Sequence, residues 1–312
     1  MSFALTVIIP SYNNASFLER CIGSISAPES SVEIIVVDDG STDDTVRVLA
    51  GLKDRLSNLK VISQANGGVS CARNAGLREA SGRFVTFLDA DDQLYPEALS
   101  QIVLAINTFD SDVIIFRSLC GDVEQYPWMS HFHEREIYSS KDLMKTRYIR
   151  GSACGCFFKL DFLRKNRVLF CQDLSIAEDT VFFACAIAEG ASISFINANL
   201  YIVIPREGSA SRVVDSSLLP KYGKALHAAR ELIPDRCVAD NTILTILLGI
   251  VNVAVNTDCP PKYTYEKCSI GNILPLSVNC FYKHKWLVRI LNHSFRSFYE
   301  IKKIKDGRLK TV

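Results

Sequence analysis

Apolar runs alternate with amphipathic segments through the first 116 residues of this 312-residue chain. The runs that predict buried strands are 3–9, 32–37, 59–62, 84–88 and 113–116. Between them, apolar residues recur every three or four positions, which is the spacing of one helical face. Strands that alternate with helices pack as parallel strands joined by right-handed crossovers. We therefore expect an α/β fold whose central sheet is mainly parallel, Rossmann-like and flanked by helices.

Polar loops follow three of these predicted strands, at 10–14, 38–42 and 89–92. The carboxyl ends of parallel strands meet at one edge of the sheet, and ligands of open α/β sheets bind at that edge. The sequence therefore predicts a binding cleft built from three loops that are far apart in the chain.

The third loop carries Asp89, Asp91 and Asp92 in one short turn. Carboxylates this close repel one another unless a cation lies among them, and oxygen ligands suit Mg²⁺ or Mn²⁺. Such an ion commonly binds together with a diphosphate. The alternative is a solvated acidic turn ahead of a helix that begins at Pro96. Asp92 suits a cap for that helix, and Ser41 or Thr42 suits a cap for the helix that follows the second strand and carries Val46, Leu49, Leu52 and Leu56.

The pattern loosens from 121 to 172 and then recovers. Glu178 and Asp179 stand at the head of an apolar segment that predicts a helix, and a short strand at 200–204 is followed by Arg206 and Ser209. Beyond residue 213 the spacing predicts helices at 218–233 and 243–255.

The last segment, 284–304, predicts an amphipathic helix with a basic border. From residue 283 onward, nine Lys or Arg residues stand against Glu300 and Asp306. An apolar face beside basic residues suits a helix lying on an anionic membrane surface. The alternative is a soluble helix that packs on the core and exposes its basic side.

Composition excludes several classes of protein. A net charge of +1 argues against a nucleic-acid binder that works by bulk electrostatics. The eleven cysteines form no C-x-x-C pair, which favours reduced thiols over a disulfide framework or the alternative of a zinc site. Met1 is followed directly by a strand-like run, and the longest apolar run is too short to span a bilayer, so we expect a cytoplasmic protein.

Four segments together resemble a known family. They are IIPSYN at 8–13, VVDDGSTD at 36–43, GGVSCARNAG at 67–76 and FLDADD at 87–92. Their order and spacing resemble the successive signatures of family 2 glycosyltransferases, which have the GT-A fold. The resemblance is dense over 3–116 and reappears at 178–179 and 201–212.

The resemblance implies an inverting sugar transfer in a single displacement. An acceptor hydroxyl attacks the sugar while a nucleoside diphosphate, most commonly UDP, departs. A general base must take the hydroxyl proton, and a divalent ion, Mg²⁺ or Mn²⁺, must stabilise charge on the diphosphate. By this resemblance Asp179 is the candidate base, and Glu178 binds the acceptor or the donor sugar.

The same resemblance assigns the donor site. Asp91 would hold the metal ion, and Asp89 would contact ribose or support the ion through water. The residues that would bind the nucleoside and its phosphates are Pro10, Ser11, Tyr12, Asp39 and Arg73, with Asp39 accepting from the N–H of uracil. Arg206 and Ser209 would close over the diphosphate as a lid, although 202–205 departs from the aromatic and basic run that the family often has there.

Structural alternatives remain for these assignments. Arg73 could simply pair with a carboxylate at the sheet edge, and Glu178 and Asp179 could only complement a helix dipole. Asp38 suits a turn that accepts backbone N–H groups. For the whole protein, the alternatives are a non-catalytic nucleotide-sugar-binding relative and a sugar nucleotidyltransferase.

The predicted organisation is a catalytic domain at 1–212 and a helical C-terminal region at 213–312. The catalytic domain divides into a nucleotide-binding half at 1–116 and an acceptor- and sugar-binding half at 117–212. We expect the acceptor to be a saccharide on a lipid diphosphate, as in the assembly of bacterial surface polysaccharides. The basic terminal helix motivates that expectation, because it would hold the enzyme at the membrane.

Overall fold

A computed structural model describes residues 3–25, 31–95, 98–120, 123–124, 136–145, 153–202, 204 and 215–256. The two predicted lid residues, Arg206 and Ser209, lie outside these ranges. So does the predicted terminal helix at 284–304, and with it the prediction of membrane contact.

One ten-stranded sheet organises the described residues. The strands are β1 Leu5–Ser11, β2 Val32–Asp38, β3 Leu59–Ser63, β4 Phe84–Phe87, β5 Gln93–Leu94, β6 Val113–Cys120, β7 Val123–Glu124, β8 Ile137–Tyr138, β9 Cys156–Lys159 and β10 Ile193–Ile202. Their spatial order is β3-β2-β1-β4-β9-β6-β10-β5, with β7 on β6 and β8 on β10. The pairs among β3, β2, β1 and β4 are parallel, and so is β6 with β10. The prediction of a mainly parallel sheet is confirmed.

Nine helices in the described ranges cover the sheet. They are α1 Ala15–Gly23, α2 Thr45–Lys53, α3 Val69–Glu79, α4 Ala98–Thr108, α5 Ser140–Lys145, α6 Leu160–Lys165, α7 Glu178–Ala188, α8 Leu218–Leu232 and α9 Arg236–Asn256. None of the described helices is long and apolar enough to cross a membrane.

The side chains of the strands pack alternately into two hydrophobic cores, one on each face of the sheet, because successive side chains of a strand point to opposite faces. In β1, Val7 and Ile9 pack with α1, α2 and α4 on one face. Ile8 packs on the other face, with α3 and α7. Leu226 in α8 and Ile246 in α9 belong to that second core as well. These two helices therefore complete the core of the sheet, and the predicted boundary at 212/213 falls between β10 and α8.

Strand β1 continues through Pro10, where the sequence predicted its end. Pro10 pairs in register with Val37 of β2, and Ser11 pairs with Asp38. In a strand, the polar backbone groups of successive residues face alternate sides. The Ser11 carbonyl accepts from Asp39 N on the β2 side, so Pro10 faces the β4 side, where pairing has already ended at Ile8. The missing N–H of proline therefore costs no ladder hydrogen bond.

Strand β9 is antiparallel to both of its neighbours, β4 and β6. Its first residues therefore lie at the edge of the sheet where β4 ends. An isolated bridge between Phe87 and Cys154 extends this contact. Cys154 and Gly155, which precede β9, therefore lie beside the end of β4, just before the acidic turn.

A stability prediction follows from the close approach of α3 to β1. An alanine Cβ at Gly76 would collide with the side chain of Ile8, which is fully buried in the sheet. Gly76→Ala should therefore lower the free energy of unfolding by about 1–3 kcal/mol, the usual cost of overpacking. Gly51→Ala in α2 is the matched control, because nothing lies within 4 Å of its added Cβ, and it should be neutral or stabilising. Urea denaturation measures both, and equal effects would contradict the close packing.

Candidate functional site

Loops 10–14 and 38–45 bind each other at the carboxyl ends of β1 and β2, where the sequence predicts one side of the cleft. Asn13 has a left-handed backbone with φ of 54°, and its Oδ1 accepts from Thr42 N at 2.8 Å and Asp43 N at 3.3 Å. Its own N–H donates to Ser41 Oγ at 2.9 Å. Ser41 and Thr42 therefore bind the neighbouring loop and do not cap α2, which begins only at Thr45. The predicted cap was wrong because a tertiary contact uses these hydroxyl groups.

Asp39 is buried and organises the loop before α3. Its Oδ1 accepts from Gln64 Nε2 at 2.7 Å and Gly67 N at 2.9 Å, and its Oδ2 accepts from Gly68 N at 2.8 Å. The carboxylate thus holds the Gly67–Gly68 turn, and its predicted contact with uracil stays a prediction. Neighbouring Asp38 accepts from Ser41 N at 3.1 Å, which is the turn contact that we expected.

Ser11 and Tyr12 follow Pro10 at the carboxyl end of β1. The Ser11 hydroxyl is buried and has no hydrogen-bond partner among the described residues. Tyr12 is 48% exposed. A buried hydroxyl without a partner beside an exposed aromatic ring provides a polar contact and a stacking surface for a flat ligand.

The acidic turn lies against α1 and the end of β10. Asp92 N donates to Asp89 O at 2.9 Å, which closes the turn. The Asp92 carboxylate accepts from Ile204 N at 2.8 Å, so its observed role is to tie the turn to the residue just past β10. Cys21 Sγ donates to Asp89 O at 3.6 Å, and burial, together with the charges of Asp89, Asp92 and Asp91, raises the pKa of that thiol.

Arg73 joins the acidic turn to the second acid pair. Its Nη2 lies 2.9 Å from Asp89 Oδ1 and its Nη1 lies 3.0 Å from Glu178 Oε1. The Arg73 side chain is 5% exposed, and its guanidinium lies over the ring of Phe170 at 5.2 Å from the centroid. Burial by itself would lower the pKa of Arg73, but the carboxylates, Asp89 foremost, hold it above its ordinary value. The guanidinium is therefore a permanent cation between two acids.

The two members of the second acid pair have different surroundings at the start of α7. Burial, and after it the charge of Asp179, raises the pKa of Glu178, while the nearby Arg73 opposes that rise. Asp179 is partly exposed, and its Oδ1 accepts from Thr180 N at 2.8 Å. Glu178 therefore belongs to the buried ion-pair network, whereas Asp179 is partly exposed at the start of the helix.

Ser70 and Asn74 were missed by the sequence reasoning. Both are buried on α3, where Ser70 Oγ donates to Leu174 O at 3.3 Å and Asn74 binds the backbone of Phe170. They hold the segment that leads into α7. Polar residues on the buried face of a predicted helix were the signal that could have found them.

The carboxylates of the acidic turn suit a hard divalent ion that takes most of its other ligands from water and from substrate phosphates. No group of three or more His, Cys, Asp or Glu residues in the described ranges is arranged to enclose a metal ion. Mg²⁺ and Mn²⁺ do not need such an enclosure, because they commonly keep water and bind one or two carboxylates with substrate phosphates. Asp91 and Asp89 are partly exposed on one turn and fit that pattern.

Known proteins resemble this chain in both sequence and fold. The family model described as "Glycosyl transferase family 2" matches residues 6–165. The poly(ribitol-phosphate) β-N-acetylglucosaminyltransferase TarS of Staphylococcus aureus is 30% identical over 209 residues, which cover 65% of this chain and 36% of TarS. The glycosyltransferase EpsJ of Bacillus subtilis is 26% identical over 222 residues, covering 67% of this chain and 63% of EpsJ. The match thus spans less than two thirds of either relative.

Solved structures share the fold. The crystal structure of S. aureus TarS in complex with UDP-GlcNAc superimposes with a TM-score of 0.62 and 24% identity, covering 81% of this chain and 73% of that one. The mannosyltransferase PcManGT of Pyrobaculum calidifontis, in complex with GDP-Man and Mn²⁺, gives a TM-score of 0.54 and 18% identity over 82% of this chain and 76% of that one. With the sheet, the acidic turn and the family model in agreement over more than half of the residues, the chain belongs to glycosyl transferase family 2 and has the GT-A fold.

Proposed function

We propose that this protein is an inverting glycosyltransferase that moves a hexose or N-acetylhexosamine from a UDP-sugar to a saccharide hydroxyl. The observation that carries the proposal is the Arg73 bridge, in which one buried guanidinium binds both Asp89 and Glu178. The bridge brings the acid turn of the proposed donor site to the helix end that bears Asp179. Sugar transfer requires the donor site to lie close to the base, because the acceptor oxygen and the anomeric carbon must approach within about 3–3.5 Å.

In the proposed reaction, the Asp179 carboxylate takes the proton of the acceptor hydroxyl. The oxygen forms a bond to the anomeric carbon while the bond from that carbon to the diphosphate oxygen breaks, so the anomeric configuration inverts. Glu178, held by Arg73, lies next to the base and would bind a sugar hydroxyl. A Mg²⁺ or Mn²⁺ ion held by Asp91, with support from Asp89, would stabilise charge on the departing diphosphate.

The nucleoside would bind where β1 and β2 end. Tyr12 would offer its exposed side chain to the base, and Ser11 would offer its unpaired hydroxyl. Asp39 lies in the adjoining loop, where its backbone N–H donates to Ser11 O at 2.8 Å. Pro10 would line the same proposed pocket. Arg73 would affect phosphate binding indirectly, by fixing the position of Asp89, because its own guanidinium is buried between the two acids. Arg206 and Ser209 stay predicted lid residues.

The relatives support a substrate class for this proposal. TarS is named for N-acetylglucosaminyl transfer to poly(ribitol-phosphate), and a relative from Bacillus spizizenii is named for glucosyl transfer to the same polymer. A growing surface polysaccharide is therefore the acceptor that we propose, carried on a lipid diphosphate at the inner face of the membrane. Seven described cysteines carry no disulfide, which supports a reducing, cytoplasmic setting.

Calorimetry with a panel of donors tests this proposal. UDP-GlcNAc, UDP-glucose and GDP-mannose would be titrated into the protein with Mn²⁺, with Mg²⁺ and with EDTA. We expect a UDP-sugar to bind in the presence of metal, to bind more weakly in EDTA, and to release UDP when an acceptor saccharide is added.

Two results would contradict the proposal in different ways. Turnover of a nucleoside triphosphate with pyrophosphate exchange would indicate a nucleotidyltransferase. Binding of a UDP-sugar without UDP release from any acceptor, including a synthetic lipid-diphosphate sugar, would indicate a non-catalytic binding protein.

A further inference from the structure

Asn74 forms a paired hydrogen bond with a backbone segment that belongs to no strand or helix. Its Nδ2 donates to Phe170 O at 2.8 Å, and its Oδ1 accepts from Phe170 N at 2.9 Å. Both bonds are buried, and Asn74 itself is 2% exposed. A buried backbone N–H and C=O each require a partner, so one amide side chain satisfies the residue as a neighbouring strand would.

The ring of Phe170 transmits this restraint to α7. Phe170 and Phe182 are stacked, with ring centroids 4.0 Å apart and an interplanar angle of 5°. Phe87 packs edge-on against both rings, at 5.0 Å and 5.7 Å. Phe182 is fully buried and lies one turn beyond Glu178 on the same helix. Close-packed aromatic rings of this kind have few alternative arrangements, so a displacement of Phe170 displaces α7.

The entry to α7 needs an external restraint. Ala177, the N-cap residue of the helix, has a left-handed conformation with φ of 57° and makes no capping hydrogen bond through its side chain. The segment that leads to it is tied to α3 by Ser70 at Leu174 and by Asn74 at Phe170. Arg73, the neighbour of Asn74, holds Glu178.

We infer that Asn74 is a positioning residue for the Asp179 carboxylate, acting through Phe170 and Phe182. Both side-chain hydrogen bonds that the structure gives Asn74 go to Phe170 and not to an acid, so its effect on Glu178 and Asp179 is through their geometry. This inference rests on the proposed function, in which Asp179 is the base. A base displaced by about 1 Å can lose about 10²-fold in rate while the donor pocket is intact.

The test compares Asn74→Ala with Asn58→Ala in the full-length protein. Asn58 is the matched control, because its Nδ2 donates to Val32 O at 2.8 Å, at the amino-terminal edge of the sheet and away from the cleft. Turnover of UDP-GlcNAc, measured as UDP release, would give kcat and KM, and hydrogen exchange would follow the peptides that span 168–183. Asn74→Ala should lower kcat by about 10–10²-fold with nearly unchanged KM for the donor and faster exchange at 168–183. Asn58→Ala should change neither quantity.

Each other outcome has a definite meaning. Full kcat in Asn74→Ala, with wild-type protein active, would overturn the positioning role even if exchange increases. If wild-type protein releases no UDP from any donor, the proposed function fails and the positioning role fails with it. If Asn74→Ala does not fold, Phe170→Leu removes the stacked ring and leaves the backbone bonds, and full kcat in that variant would equally overturn the inference.

Discussion

Asp179→Asn is expected to reduce sugar transfer by about 10²–10⁴-fold, because an amide cannot take the proton of the acceptor hydroxyl. The amide keeps the size of the side chain, and its oxygen can still accept from Thr180 N, a bond that is 2.8 Å long in the native protein. Donor affinity and the free energy of unfolding should therefore stay close to the wild-type values. Steady-state UDP release measures the transfer rate, and calorimetry with a UDP-sugar measures the donor affinity.

Asp173→Asn is the control for the change of charge. Asp173 is an exposed acid six positions before Asp179, so its replacement alters the net charge equally without touching the helix end. It should leave turnover unchanged. Near-normal transfer in Asp179→Asn would remove Asp179 from the role of base, whereas parallel losses in donor affinity and transfer would assign it to donor binding.

Arg73→Met should lower the free energy of unfolding by about 3–5 kcal/mol, the usual cost of removing one partner from a buried ion pair. Glu178 carries most of this cost because its side chain is 14% exposed, whereas Asp89 is 40% exposed and can recover hydration. Transfer should fall as well, since Asp89 and Glu178 lose their common anchor. Arg55→Met is the matched control, because its ion pair with Glu19 is exposed on both sides and should contribute no more than about 1 kcal/mol.

The loss of unfolding free energy in Arg73→Met should depend on pH, and the direction of that dependence follows from the pKa of Glu178. Burial and Asp179 already raise the pKa of Glu178, and Arg73 opposes that rise, so the variant has a still higher pKa in the folded state. A carboxyl with a raised folded pKa stabilises the protein below its unfolded pKa, and this contribution is lost as the pH rises through the folded value. The deficit should therefore be smaller at acidic pH than at neutral pH in urea denaturation. A deficit independent of pH would contradict a buried, uncompensated Glu178.

The first half of the fold could be predicted because its signals are local. Strands β1 to β4 and helices α1 to α3 each coincide with a continuous apolar run or a single helical period. Strand β10 shows the limit of that approach, since it begins at Ile193 and not at the predicted 200. Its pairing with β6 shifts register between Ile196 and Asn199, and this irregularity interrupts the alternation by which a strand is recognised.

Order in the sheet could not be predicted from local pattern. Strand β9 lies between β4 and β6, although 68 residues separate Phe87 from Cys156 in numbering, and it runs antiparallel to both. The apolar residues of β9 predict only that this strand is buried. Which strands it joins depends on the packing of both sheet faces, which no single segment encodes.

The order of residues alone determined the α/β class, the three loops at the carboxyl ends of the strands and the presence of acids in the third loop and at the head of the helix that begins at Glu178. Only the tertiary structure decided which side chains bind those acids. Arg73 binds a carboxylate 16 positions away and another 105 positions away, and Asn74 fixes a segment 96 positions away. Such contacts form only when α3 and α7 pack together on one face of the sheet, because burial is what gives an ion pair or an amide one defined partner.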